Sequence, residues 1–280
     1  MIIVATDGSP AATAAVEWAA DDAARKGLPL RVLHVVDRLP YEIPRYPIPG
    51  VQESIVQSGE RILRDARQAV RTRQPGVEVN TELVYGVPAP SLRQEAEHSS
   101  ELVVGSRGRG GFAGMLLGSV SSHVAGHVHV PVVVVRPGPA TAYGEIVVGV
   151  SESEECDPAL AYAFEEAKLR GARLRAICAW ELPVHILGPE VVYDVDEIQH
   201  AFRQAAQDKI GDLEERFPEV EVTLDIVRGH PVAALVDTSE KADLVVVGSR
   251  GRGAFGAVVL GSVSRGILHH ARCPVAVVRS

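Results

Sequence analysis

GSRGRGGFAGMLLGSVS, residues 105–121, returns as GSRGRGAFGAVVLGSVS at residues 248–264, an offset of 143 at which 12 of the 17 positions are identical. The chain is a tandem duplication, and the repeated element is a candidate phosphate cradle. Both copies read Gly-x-x-Gly, nine residues, then Gly-Ser: Gly105, Gly108, Gly118, Ser119, and Gly248, Gly251, Gly261, Ser262. Glycines let a loop turn through positive φ and bring backbone N–H groups against an anion with no Cβ between. The Gly-Ser pair then opens a helix whose first turn carries unpaired donors and the positive end of its dipole. An apolar run precedes each loop (Leu102–Val104, Leu244–Val247), which gives the strand–loop–helix context that a bare glycine turn lacks.

Outward from these loops the chain alternates strands and helices. In the first half the pattern predicts strands at 2–6, 30–36, 77–85, 102–104 and 131–136, and helices at 10–26, 54–73, 88–98 and 119–128. Continuous apolar strands with intervening helices indicate a parallel sheet covered on both faces. Ala12, Val16, Ala19, Ala20 and Ala23 form one helix stripe, and Ile55, Ile62, Leu63, Ala66 and Val70 another. The second half repeats the order: Ile146–Val150 matches 2–6 at an offset of 144, and the offset is 143 by Gly229, which pairs with Gly86. Ile198, Phe202, Ala205, Ala206, Ile210, Leu213 and Phe217 read as core contacts of a long helix. The breaker-rich segment 137–144 is the expected linker between domains at 1–138 and 145–280.

Composition sets bounds on function. The chain has 280 residues, 46% of them hydrophobic, and a net charge of −8. That suits two globular domains and argues against a general nucleic-acid binder, which needs a basic face. MIIVATDGSP lacks a basic leader segment, and no apolar run reaches the roughly 18 residues of a membrane span, so a cytoplasmic protein is expected. Three cysteines without a CxxC spacing indicate neither a disulfide framework nor a zinc ribbon, and read as ordinary thiols.

In an open doubly wound sheet, ligands sit beyond the carboxyl ends of the strands, where the strand order reverses. Asp7-Gly8-Ser9-Pro10 follows the first strand. Its aspartate suits a ribose hydroxyl or a phosphate-bound Mg2+, and the same four residues suit a helix cap and turn. Arg107, Arg109, Arg250 and Arg252 lie inside the glycine loops, as phosphate ligands or as solvated arginines. His123, His127, His129 and the pair His269-His270 have no Cys or carboxylate at ligand spacing, and read as surface or interface residues rather than a metal site. The Pro-rich segment 41–50 either covers the adenine side of the pocket or is a surface loop.

The order apolar strand, T-D-G-S, L-H-V-V-D, L-V-V-G-S-R-G and H-V-P-V-V-V-V-R resembles the universal stress protein family in its tandem form, over nearly the whole chain. The resemblance implies an α/β fold of two Rossmann-like domains, each a five-stranded parallel sheet of order 3-2-1-4-5 with helices on both faces. It also implies ATP binding, often with Mg2+ or Mn2+. Carried over by position, Asp7 lies against the nucleotide, the backbone of Val35 reads the adenine edge, Gly105 touches the ribose, and Gly108, Gly118, Ser119 and Val120 hold the phosphates. The matching residues of the second domain are Ser151, Ala179, Gly248, Gly251, Gly261, Ser262 and Val263, with Ser151 in place of the carboxylate. The function so implied is an ATP- or ADP-governed stress-response regulator, working through a protein partner and forming a homodimer. Residues 131–136 and 274–279 would be sheet edges that pair with each other within one chain, a second chain then adding through remaining apolar surface. The competing class is an ATP-hydrolysing or nucleotidyl-transferring enzyme. No general base stands at useful spacing near the loop and no Walker-type lysine follows it, which favours the regulator.

Overall fold

Runs of valine, isoleucine and leucine too short to be helices form the strands, and the alanine-rich stretches between them form the helices that cover the sheets. The computed structural model describes residues 1–37, 50–110, 116–138, 141–181, 194–250 and 260–279. The chain falls into two units, Met1–Pro139 and Ala140–Ser280. Unit 1 runs β1 (Ile2–Ala5), α1 (Pro10–Lys26), β2 (Leu30–Val36), α2 (Val51–Arg73), β3 (Val79–Tyr85), α3 (Pro88–Ala96), β4 (Glu101–Gly105), α4 (Ser119–His127), β5 (Val132–Val135). Unit 2 repeats it as β6 (Glu145–Val150), α5 (Asp157–Arg170), β7 (Arg173–Trp180), α6 (Val195–Arg216), β8 (Val222–Arg228), α7 (Pro231–Thr238), β9 (Leu244–Gly248), α8 (Ser262–His270), β10 (Val275–Val278).

Each unit is a parallel sheet in the expected order. In unit 1, Ile2 on β1 is in register with both Leu30 of β2 and Glu101 of β4, while β3 adds outside β2 and β5 outside β4. In unit 2, β6 lies between β7 and β9, with β8 and β10 outside them. Right-handed crossovers therefore put α1 and α2 on one face and α3 and α4 on the other, and each pair packs together. The strand order reverses between β1 and β4, and between β6 and β9, which opens one crevice per unit.

Helix α1 shows how the sequence sets its place. Ser9 caps it by accepting the Ala12 N–H at 3.2 Å, Pro10 sits in the first turn, and Gly27 ends it in the left-handed region at φ 62°. Its buried face is nearly all alanine, and small side chains let the helix lie close to the sheet. Asp22 on that face is buried and bonds Lys26 at 2.7 Å, and Lys26 reaches Glu101 at the start of β4, also at 2.7 Å. A buried carboxylate is tolerable only with such partners.

Some boundaries and contacts differ from expectation. β3 starts at Val79 because the N–H of Val77 closes a turn on the Gln74 carbonyl at 3.1 Å. Of the apolar residues expected on the buried side of α6, Ala206, Ile210 and Leu213 are buried, and Phe217 is the C-cap, its ring 5.7 Å from Phe164. On α2, Ile55 is only half-buried. The glycine loops also work differently. Gly105, Gly108, Gly118, Gly248 and Gly261 all lie outside the positive-φ region, so these glycines serve close approach, not handedness. A Cβ on Gly105 would sit 2.6 Å from the Ala11 carbonyl carbon and 2.7 Å from the Ala12 nitrogen, whereas one on Gly248 would come no nearer than 3.0 Å to the Glu155 oxygen.

Gly105→Ala is therefore expected to force α1 off β4 and to cost about 1–3 kcal/mol, with Gly248→Ala milder. Urea denaturation of the two full-length variants checks this; equal losses would show that the approach at Gly105 is not the tighter constraint.

Candidate functional site

The site in unit 1 is built where two loops meet. After β1 the chain turns sharply: Thr6 Oγ1 accepts the Gly8 N–H at 3.2 Å, Gly8 has φ 73°, and Asp7 Oδ1 accepts the Ser9 N–H at 2.9 Å. Ser9, not Asp7, is the helix cap. The same two residues reach the glycine loop, where Ser9 Oγ donates to the Arg107 carbonyl at 3.2 Å and Asp7 Oδ2 accepts the Arg109 N–H at 2.7 Å. Gly118 closes the loop by donating to the Ser106 carbonyl at 2.8 Å, and Ser121 Oγ donates to the Gly105 carbonyl at 2.6 Å.

Helix α4 then begins with its donors open. Gly118 offers no side-chain cap, and the first N–H bonded to the cap carbonyl is that of Ser122, at 3.0 Å. The N–H groups of Ser119, Val120 and Ser121 have no partner among the described residues. These are the orphan donors of a helix start, and they carry the positive end of the dipole. They border a cavity of about 480 Å³ at the carboxyl ends of β1, β2 and β4. The expected residues Asp7, Val35, Gly105, Gly108, Gly118, Ser119 and Val120 all line it, together with Arg107 and Arg109.

Val35 contributes its backbone. Alternate residues of β2 face opposite neighbours: Leu33 accepts from Thr6 on the β1 side, and Val36 from Gly86 on the β3 side. Val35 therefore turns its amide and carbonyl toward β1, which has already ended at Ala5. Sequence reasoning missed its neighbour His34, which also lines the cavity and whose Nδ1 lies 2.7 Å from the Thr6 carbonyl. Room for the ring comes from Gly59 on α2, where a Cβ would lie 2.8 Å from His34 Cδ2.

Unit 2 copies the open helix start and changes the rest. Gly261 donates to the Ser249 carbonyl at 2.8 Å, Ser264 Oγ to the Gly248 carbonyl at 2.5 Å, and Arg265 makes the first bond to the cap carbonyl at 3.0 Å. The N–H groups of Ser262, Val263 and Ser264 are thus open in the same way. Ser151, Ala179, Gly248, Gly261, Ser262 and Val263 line a larger cavity of about 650 Å³. Gly251 and Arg252 lie outside the described residues, as does most of the Pro-rich segment 41–50.

At offsets of 144 and 143, Cys178 replaces His34, Trp180 replaces Val36 and Phe202 replaces Gly59. Phe202 is not simply a core residue. It lines the cavity and stacks on Trp180, with centroids 5.7 Å apart and planes 17° apart, while the Arg228 guanidinium lies 5.9 Å from the Trp180 ring. The Trp180 N–H is buried with no hydrogen-bond partner among the described residues. Two of the cysteines taken as ordinary thiols, Cys156 and Cys178, are in the cavity wall. Cys156 donates to the Ser151 carbonyl at 3.1 Å, and burial pushes its thiol above the usual pKa, so it stays protonated at neutral pH. Near Ser151 the Arg250 guanidinium lies 3.2 Å from the Glu155 carboxylate. The signal for these wall residues was strand-end position and repeat offset, not residue type.

His123 and His127 stack face to face at 3.9 Å, His127 Nδ1 contacts the His123 carbonyl at 2.8 Å, and the rings of His269 and His270 are 6.2 Å apart. Burial, then the neighbouring His127 and Arg93, hold His123 below the usual histidine pKa.

Comparison with known proteins places these two units in context. Residues 1–136 and 142–279 each match the family described as Universal stress protein family. The chain is 35% identical over 290 residues to universal stress protein Rv2005c of Mycobacterium tuberculosis, with 99% of this chain and 96% of that protein covered. Universal stress protein Rv2623 of the same species is 36% identical over 288 residues, with the same coverages. Among solved structures, a universal stress protein from Archaeoglobus fulgidus DSM 4304 shares the fold at a TM-score of 0.73 and 23% identity, covering 99% of this chain and 96% of that one.

The bonds from Ser121 and Ser264 tie each helix start to its strand. Ser121→Ala and Ser264→Ala are each expected to cost about 1–2 kcal/mol by leaving a buried carbonyl without its donor, read as a shift in the denaturation midpoint of the full-length protein. A midpoint unchanged by either would mean that the hydroxyl bonds do not hold the helix starts.

Proposed function

The chain belongs to the universal stress protein family, and from that premise we propose that it binds ATP or ADP and acts in the cytoplasm as a nucleotide-governed regulator in the stress response. The observation that carries this reading is the doubled set of open amides at the starts of α4 and α8, each facing a cavity at the strand-order reversal. Three aligned N–H groups at a helix dipole suit phosphate and need no particular side chain. The free backbone edge of Val35 suits the rim of an adenine ring, and Arg107 and Arg109 at the cavity wall suit the outer phosphates.

Mg2+ fits less directly. Asp7 is the carboxylate of the unit 1 lining, and each of its oxygens already accepts a backbone N–H. The ion would accordingly arrive on the phosphates and keep most of its waters. A regulator is preferred to an enzyme because Gly118, Ser119, Val120 and Ser121, which would surround the phosphates, offer no side chain that moves a proton at neutral pH.

The output of such a regulator is a change in partner binding, with an unidentified protein as partner. Nucleic acid is a poor partner for a chain of net charge −8. No helix among the described residues is long and apolar enough to cross a membrane. A homodimer with two-fold symmetry, formed through apolar surface outside the terminal strands, is part of the proposal.

Titration calorimetry of nucleotide-free protein with Mg-ATP tests the central claim: saturable heat is expected, and its absence up to millimolar ligand in folded protein would refute it. Gly118→Glu should abolish binding in unit 1 without unfolding it, since a Cβ there meets only ordinary contacts of 3.4 Å or more while the carboxylate enters the phosphate path. With Gly118→Glu isolating unit 2 and Gly261→Glu isolating unit 1, unit 2 is expected to be the weaker site by about 1 kcal/mol, because Ser151 stands where Asp7 does. Matching affinities would show that the carboxylate contributes little. Light scattering decides the dimer, which a monomer mass at high micromolar concentration would exclude.

A further inference from the structure

Asp7 was expected against the nucleotide, and its bonds point elsewhere. We infer that Asp7 is the latch of the unit 1 phosphate loop, a positioning residue that fixes the loop for phosphate rather than a ligand of the nucleoside; this rests on the nucleotide reading above. Both carboxylate oxygens are committed to backbone. Oδ1 accepts the Ser9 N–H at 2.9 Å within its own turn, and Oδ2 accepts the Arg109 N–H at 2.7 Å, from a residue 102 positions along the chain. Hydrogen bonds to a charged acceptor belong to the stronger class.

Two further observations agree. Gly108, one of the repeated glycines, is required by the latch itself: a Cβ there would lie 2.6 Å from Asp7 Oδ2. Parallel to it runs a second tie, the Ser9 hydroxyl donating to the Arg107 carbonyl at 3.2 Å. Residues 7–9 and 107–109 are thus stapled at two points before any ligand arrives. The latch also removes the Arg109 N–H from the groups available to an anion, which leaves phosphate to the amides of Ser119, Val120 and Ser121. Unit 2 supplies the internal contrast. Ser151 has no carboxylate to latch with, and Arg250, the counterpart of Arg107, meets Glu155 guanidinium to carboxylate at 3.2 Å; the counterpart of Arg109, Arg252, lies outside the described residues.

A latch and a ligand predict different things. Loosening the loop weakens what the loop holds, the phosphates, whereas removing a nucleoside contact weakens adenosine and ATP together. In the full-length Gly261→Glu background, which leaves unit 1 as the site under study, Asp7→Ala is expected to weaken ATP by roughly tenfold while adenosine stays within about twofold. Asp7→Asn, which keeps an acceptor oxygen and the side-chain volume, should fall between and serves as the variant that preserves the fold. Hydrogen exchange without nucleotide supplies a second readout: protection of the Arg109 amide should fall in Asp7→Ala. Parallel losses for ATP and adenosine, or unchanged protection at Arg109, would overturn the latch. If neither ligand binds the parent protein, the nucleotide reading fails, and the exchange result alone still decides whether Asp7 holds the loop.

Discussion

How closely two backbones meet at Gly105 governs the crevice of unit 1. The end of β4 runs flush against the first turn of α1, with no room for even one methyl group beside Ala11 and Ala12. That contact puts the start of α1 next to the start of the glycine loop, and only then can Ser9 and Asp7 reach Arg107 and Arg109 with short side chains. In unit 2 the contact is looser, and the helix responds. The first turn becomes a 3-10 turn at Glu154–Cys156, and α5 begins at Asp157, which corresponds to Thr13 of α1 at the offset of 144. On that 3-10 turn Glu155 meets Arg250, the counterpart of Arg107, guanidinium to carboxylate at 3.2 Å.

Much of this was legible in the sequence because the signals were local and repeated. Apolar runs flanked by breakers gave the strands, alanine stripes gave α1, and the glycine spacing marked where the helices α4 and α8 begin. What escaped depends on distance between segments far apart in the chain. Of the two uses that the glycine spacing suggests, left-handed turns and close approach, only close approach holds at Gly105 and Gly108, and nothing local says that Gly105 faces Ala11 or that Gly108 faces Asp7. Asp7 and Ser9 are both good capping residues; Ser9 caps the helix that starts at Pro10, and Asp7 reaches the Arg109 amide, a contact 102 positions away that nothing local announces. Phe202 fits a helical stripe and a cavity wall equally well until Trp180 is known to lie beneath it.

The head ends of the two cavities show how far the halves have diverged around a shared sheet. In unit 1 an imidazole, fixed by the Thr6 carbonyl, lies under a helix made to fit it by Gly59. In unit 2 the same three positions hold a thiol and two aromatic rings, and the cavity is nonetheless the larger. The exchanges come together: the ring at position 34 needs glycine at 59, and where Cys178 replaces that ring position 202 carries a phenylalanine that stacks on Trp180. Close packing requires such paired changes, because a lone large residue overfills and a lone small one leaves a void.

The helix-start end of the cavities diverged far less, and the chemistry explains the difference. Its working groups are main-chain amides at a helix start, which every residue but proline supplies, so the constraint falls on glycines that keep side chains out of the way and on a serine that pins the helix to its strand. Those are the positions kept between the halves: Gly105, Gly118, Ser119 and Ser121 recur as Gly248, Gly261, Ser262 and Ser264. Between Gly110 and Leu117 the copies differ at five positions. A site made of backbone tolerates change in its side chains but not in its spacing, whereas a pocket made of side chains changes its preference with each substitution. Duplication of such a fold therefore yields two copies of one backbone-built helix start and two side-chain-built pockets that can change separately.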